Sequence, residues 1–164
     1  MEIGPIFMVA LAQDITIVLR AISSSYLLPL PFAATAFLTE ARDGFETMAS
    51  KLTGKGMKAQ APATIVGKSG VKHEFAFALL QDPGKTKVVV DTELSVRDVD
   101  EMKVLKFYVK VFDVGPEKAV LCVSPKLGPR AATLAKEYGI TVLEDEVPKK
   151  LIPMAEKVVN ETIE

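Results

Sequence analysis

Apolar positions recur along this chain at two different spacings, and the switches between them mark out its elements. Phe37, Leu38, Ala41, Phe45, Met48, Ala49 and Leu52 fall three and four residues apart. That period predicts a helix beginning near Pro31 or Phe32 and ended by Gly54 and Gly56. "MKAQAPATIVG" and "GVKHEFAFALL" then read as strands joined by the turn-forming "GKSG", and "QDPGK" turns the chain into a third strand, "TKVVVDTELS". A three-stranded meander is expected. Val99, Met102, Val104, Leu105, Tyr108, Val109 and Phe112 return to helical spacing, closed by Gly115. "KAVLCVS" is the continuous apolar run of a strand covered on both faces. "LGPRAATLAKEYGI" predicts a helix ended by Gly139, "ITVLED" a last strand, and "PKKLIPMAEKVVNETIE" a terminal helix with Pro148 near its start. A helical crossover after a meander returns the chain parallel to its last strand, so the expected class is α/β, a mixed sheet flanked by helices.

Residues 3–38 are more apolar than such a domain requires. Gln13, Asp14 and Arg20, then Ser23, Ser24, Ser25, Pro29 and Pro31, interrupt the run before it reaches the roughly 20 apolar residues of a membrane span. The first charge is Glu2, where a signal peptide would carry a cation. The expectation is an extra apolar helical segment over residues 1–38, with a helix at residues 6–22, followed by an α/β domain over residues 39–164. An apolar helix beyond the needs of one core is the usual mark of a partner surface, here that of a homodimer.

Length and composition add bounds to this picture. A chain of 164 residues can bury one core without disulfide or metal staples. Its single cysteine, Cys122, lies inside "AVLCVS" and reads as a small core residue in a reducing, cytoplasmic compartment. A net charge of -1 excludes coating of nucleic acid by bulk electrostatics. Locally the balance differs: no acid occurs between Glu46 and Glu74, an interval that holds Lys51, Lys55, Lys58, Lys68 and Lys72. These lysines either solubilise a hairpin or face phosphate.

Chemistry-bearing residues gather in two stretches. In "VVVDTELS" the carboxylates Asp91 and Glu93 are two residues apart at the end of an apolar strand, so both point to one face. The pair is a solvated strand end or half of a metal site. The lone His73 has no Cys or second His to complete a zinc site, and it reads as a turn cap or as one member of a mixed site with carboxylates. "GKSG" joins two strands instead of opening a helix, which fails the context of a phosphate loop.

The order of elements, opened by "DGFETMASKLTGKGMKAQ" and closed by "PRAATLAKEYGITVLED", resembles the restriction-endonuclease-like superfamily, in particular its type IV restriction and archaeal Holliday-junction-nuclease branch. Phe45, Glu46 and Gly56 match the family's opening helix, and Ala131, Ala132, Ala135, Gly139 and Ile140 its closing helix and strand. The resemblance spans residues 40–146. It implies a mixed sheet flanked by helices, and a metal-dependent site in which an Asp on the second strand and an acid-x-Lys on the third hold a divalent cation against a scissile phosphate. Asp91 matches the acid, Glu93 stands where the lysine belongs, and Ala76 stands at or near the family's aspartate, with Glu74 two residues earlier as its substitute.

The resemblance therefore implies a candidate catalytic set of Asp91, Glu93, Glu74 and a migrated lysine. Lys72, Lys106 and Lys110 are within the neighbouring elements, and Lys106 is the one placed in the set. Asp91, Glu74 and Glu93 would be the metal ligands, with Mg²⁺ bound only in an active protein. Lys68, Lys72, Lys55, Lys58 and His73 form the candidate nucleic-acid surface. The expected function is a nuclease-fold protein with impaired catalysis, serving as a nucleic-acid-associated binding or assembly module. Its alternative is an active metal-dependent DNA nuclease.

Overall fold

A computed structural model describes the backbone of residues 30–53, 57–81 and 84–163, with side chains described from Thr39 onward. The expected helix at residues 6–22, the dimerising segment apart from the start of the first described helix, Gly54, Lys55 and Gly56 lie outside these residues. The chain divides into two compact units, Met1–Ala36 and Phe37–Glu164. Of the first, only the opening turns of helix α1 (Leu30–Leu52) are described.

The second unit continues with strands β1 (Met57–Gln60), β2 (Ala63–Val66), β3 (Lys72–Phe75), β4 (Phe77–Gln81) and β5 (Lys85–Leu94). Helix α2 (Glu101–Val114), β6 (Lys118–Ser124), α3 (Pro129–Glu137) and β7 (Thr141–Glu144) follow, and a 3₁₀ turn (Pro148–Lys150) leads into α4 (Leu151–Ile163). Five strands form one sheet in the order β1-β4-β5-β6-β7. β1, β4 and β5 are antiparallel neighbours, whereas β6 and β7 join in parallel through α2 and α3. The mixed sheet flanked by helices is the arrangement that the resemblance implies.

The meander departs from expectation in one respect. Each of its first two strands is broken, the first at Ala61 and Pro62 and the second at Ala76, and the outer halves pair with each other as a separate two-stranded sheet, β2–β3. Pro62 has no N–H for a ladder, which explains the break on its own strand.

Side-chain alternation sorts the core into two layers. Val88 and Val90 of β5, with Val120 and Cys122 of β6, pack against Phe45 and Met48 of α1 and Leu151, Ala155 and Val159 of α4. Val89 of β5, with Ala119, Leu121 and Val123 of β6, packs against Val104 and Phe107 of α2 and Ala131 and Ala135 of α3. β6 is buried on both faces, so its sequence from Ala119 to Val123 is uniformly apolar. Asp91 and Glu93 have the parity of Val89, and therefore face α2.

Capping residues fix where α2 begins and ends. The Asp100 carboxylate accepts the N–H of Lys103 at 3.2 Å, and Gly115, at φ 67°, donates its N–H to the Val111 carbonyl. No described helix is long and apolar enough to cross a membrane.

Candidate functional site

The chain leaves β5, crosses over and runs back along it as α2. Early residues of the helix therefore meet the end of the strand, and later ones meet earlier strand positions. Lys103, Lys106 and Lys110 lie three and four apart and share one stripe of α2. Lys103 Nζ donates to Glu93 Oε2 at 2.9 Å, and Lys110 Nζ to Asp91 Oδ2 at 2.7 Å. Lys110 also donates to the Glu74 carbonyl at 2.9 Å and lies 5.4 Å from the centre of the Phe75 ring. The Asp91 side chain is 22% exposed and that of Lys110 33%, so the pair is largely shielded from water.

The lysine on the β5 acid is thus Lys110, where the sequence placed Lys106. Lys106 is exposed and has no ion-pair partner among the described residues. Lys103, which closes Glu93, is absent from the candidate set. The antiparallel course of α2 is the signal that finds both: Asp91 precedes Glu93 on the strand, so its partner must come later on the helix. The Glu93 carboxylate raises the Lys103 pKa, through its hydrogen bond first and its charge second.

The three acids do not assemble as a ligand set. Glu74 lies on β3, in the separate two-stranded sheet, with its side chain exposed, and it is the main-chain carbonyl that reaches the site. Both Asp91 oxygens are engaged, Oδ2 by Lys110 and Oδ1 by the Thr92 N–H at 3.0 Å. Among the described residues, no group of three or more His, Cys, Asp and Glu side chains is placed to hold a metal ion. The donor set as it stands does not fit Mg²⁺, which requires several free oxygens. Ala76 is half-buried and packs on the α1/α4 side.

A second cluster joins the "GKSG" turn to the end of α2. Asp113 Oδ2 accepts the Ser69 hydroxyl at 2.6 Å and His73 Nε2–H at 2.7 Å, while Oδ1 accepts the Ser69 N–H at 2.8 Å. The Lys68 N–H donates to the Asp113 carbonyl at 3.0 Å. Because a carboxylate only accepts, the His73 proton sits on Nε2. The bonds from Ser69 and His73 hold the Asp113 carboxyl down at about 2, the Ser69 hydroxyl contributing most. Gly67 is required here, since a Cβ at that position would lie 1.9 Å from Asp113 Oδ2.

Ser, His and Asp together invite comparison with a nucleophilic triad, but the order is wrong. The imidazole must stand between hydroxyl and carboxylate to take the proton, and here the carboxylate stands between the other two. The cluster is an anchor for the hairpin. His73, a candidate for nucleic-acid contact, is spent on that anchor; Asp113 was missed because a lone acid near a helix end reads as solvated.

Lys58, Lys68 and Lys72 are exposed and have no ion-pair partner among the described residues, and Lys55 is outside them. Burial pushes the Cys122 thiol up to about 12, with the charge of Asp91 adding to the effect, so it is no nucleophile.

No family model and no curated protein matches the chain. Among solved structures it is similar to a protein of unknown function, AF1548, with a TM-score of 0.50 and 14% identity over 71% of this chain and 66% of that one. It is also similar to protein VC1899 from Vibrio cholerae, with a TM-score of 0.50 and 14% identity over 74% of this chain and 33% of that one. An EndoMS–dsDNA complex is 22% identical over 62% of this chain and 45% of that one, at a TM-score of 0.37. The chain spans slightly under two thirds of AF1548 and a third of VC1899. What it shares with AF1548 and VC1899 is the α/β fold.

Proposed function

We propose that this chain is a nuclease-fold protein that lacks efficient metal-dependent cleavage and serves as a nucleic-acid-associated binding or assembly module. One observation carries the reading: each carboxylate on the site face of β5 is closed by a lysine of α2, Asp91 by Lys110 and Glu93 by Lys103. A carboxylate committed to an ammonium group has less to offer a cation. Glu93 in the lysine position and Ala76 in the aspartate position support the same reading. The nucleic-acid surface would be the unpaired Lys68 and Lys72 on the hairpin, with Lys58 on β1. The apolar residues 3–38 would supply a homodimer contact, which light scattering on the purified chain tests.

A second reading has its own support. The Lys110 ammonium stands 2.7 Å from Asp91, as a lysine that has moved from strand to helix should in an active metal-dependent DNA nuclease. The two readings separate in one assay: supercoiled, linear, branched and single-stranded DNA incubated with Mg²⁺ or Mn²⁺, beside an Asp91→Ala control. The binding reading expects no cleavage, together with salt-sensitive DNA retention that weakens when Lys68 and Lys72 are neutralised. Cleavage abolished by the control, and by Lys110→Met, establishes the nuclease instead.

A further inference from the structure

Seven large hydrophobic side chains are exposed among the described residues, and five of them lie on α2 or on the hairpin anchored to its C-terminal end. Met102, Val109 and Phe112 are 56%, 60% and 71% exposed, and they are spaced seven and three residues apart along one side of the helix. Val66 and Val71 flank the turn whose Gly67 touches Asp113, the neighbour of Phe112. Scattered exposed apolar residues need no explanation, but a concentration on one helix does.

Charge decides what covers this stripe. Lys106 borders it, four residues from Met102 and three from Val109, and is unpaired among the described residues. The acids of α2 present little to solvent beside this stripe: Glu101 faces Arg130 at 3.9 Å, and the Asp113 carboxylate, its side chain 16% exposed, is turned to Ser69 and His73. The free charge beside the apolar stripe is therefore positive, and it grows toward the hairpin through Lys68 and Lys72. A second copy fits poorly. Two α2 helices packed antiparallel about a two-fold axis bring like edges together, setting Lys106 against its own counterpart.

We propose that the outer face of α2 docks an amphipathic helix of another protein, one with apolar residues at helical spacing and acidic residues along one flank. The apolar side packs between Met102, Val109 and Phe112, and the acidic flank meets Lys106. Lys106 borders the Asp91 site, on the same stripe as Lys103 and Lys110, but takes no part in its ion pairs, and docking of the helix does not require nucleic acid to bind.

The test uses the full chain and two labelled synthetic helical peptides with leucines at helical spacing, one flanked by glutamates and one by lysines, followed by fluorescence anisotropy. The glutamate peptide is expected to bind and the lysine peptide to bind at least about tenfold more weakly. Val109→Ser with Phe112→Ser should weaken the glutamate peptide by about tenfold or more, with circular dichroism and DNA retention unchanged. Lys106→Glu should reverse the preference between the peptides, a result that no loss of folding can produce. Equal binding of both peptides, or of neither, overturns the proposal. So does self-association that Val109→Ser abolishes, which assigns the face to a second copy, or binding to phosphatidylglycerol vesicles lost in the same variant, which assigns it to a membrane.

Discussion

Lys106 and Lys110 occupy the same stripe of α2 one turn apart, yet only Lys110 is held in place. Its ammonium bonds the Asp91 carboxylate and the Glu74 carbonyl and lies over the Phe75 ring. Lys110→Met keeps most of the aliphatic stem but leaves a largely buried carboxylate without its counter-charge and a carbonyl without its donor. The expected loss of stability is about 1–3 kcal/mol. Lys106→Met should stay within about 0.5 kcal/mol of the parent, as surface substitutions generally do. Guanidinium unfolding of both variants checks the difference. Adding Asp91→Asn to Lys110→Met should recover part of the loss, because it removes the stranded charge; equal losses in Lys106→Met and Lys110→Met would contradict the observed pairing.

Among the elements, the β2–β3 hairpin depends most on a single side chain. One carboxylate, Asp113, accepts from the Ser69 hydroxyl, the Ser69 N–H and His73. Its pKa is lowered from an ordinary 3.8 to about 2, so on acidification the unfolded chain takes up this proton before the folded one does. The stabilisation is therefore complete above about pH 4 and is lost as the pH falls toward about 2. Asp113→Asn should lower the urea midpoint at neutral pH, and the gap from the parent should narrow across that acid window. Amide exchange should rise at Ser69 and Val71 while β6 stays protected. A gap that persists unchanged to pH 2 would show that the carboxylate's charge does not matter.

Much at this scale was legible in the sequence. The period-2 pattern of β5 set Asp91 and Glu93 on one face, Gly115 closed α2, and the unbroken apolar run of β6 announced a strand covered twice. The anchor was not legible, because Asp113 and Ser69 are 44 residues apart and meet only when the hairpin folds over the end of α2. Nor was the separation of β2–β3 from the main sheet, since "VKHEFAFALL" keeps its strand character straight through the break at Ala76. The choice between Lys106 and Lys110 depends on how far α2 slides along β5. Helix residues advance by about 1.5 Å and strand residues by about 3.3 Å, so a slide of one helical turn exchanges the partners.

Taken whole, the molecule is nearly neutral, with 20 Lys and Arg against 21 Asp and Glu, and any nucleic-acid affinity must arise from where its cations remain free. Most lysines are committed: Lys51 to Glu156, Lys85 and Lys87 to Glu117, Lys149 to Glu40, and Lys103 and Lys110 to the β5 acids. A paired lysine neutralises its own acid and displaces few counterions from a phosphate backbone. Lys68 and Lys72 are unpaired among the described residues and share one hairpin that Asp113 holds on α2. If they contact duplex DNA, each displaces about 0.9 of a counterion, so neutralising both to Gln should make the dependence of log affinity on log salt shallower by about 2. Neutralising Lys85 and Lys87, which already share Glu117, should barely change it. Filter binding across a salt series measures both slopes. Equal slopes in the two double variants would remove the hairpin from the nucleic-acid surface, whereas a loss confined to Lys68 and Lys72 would place the contact on the hairpin, beside the anchored end of α2.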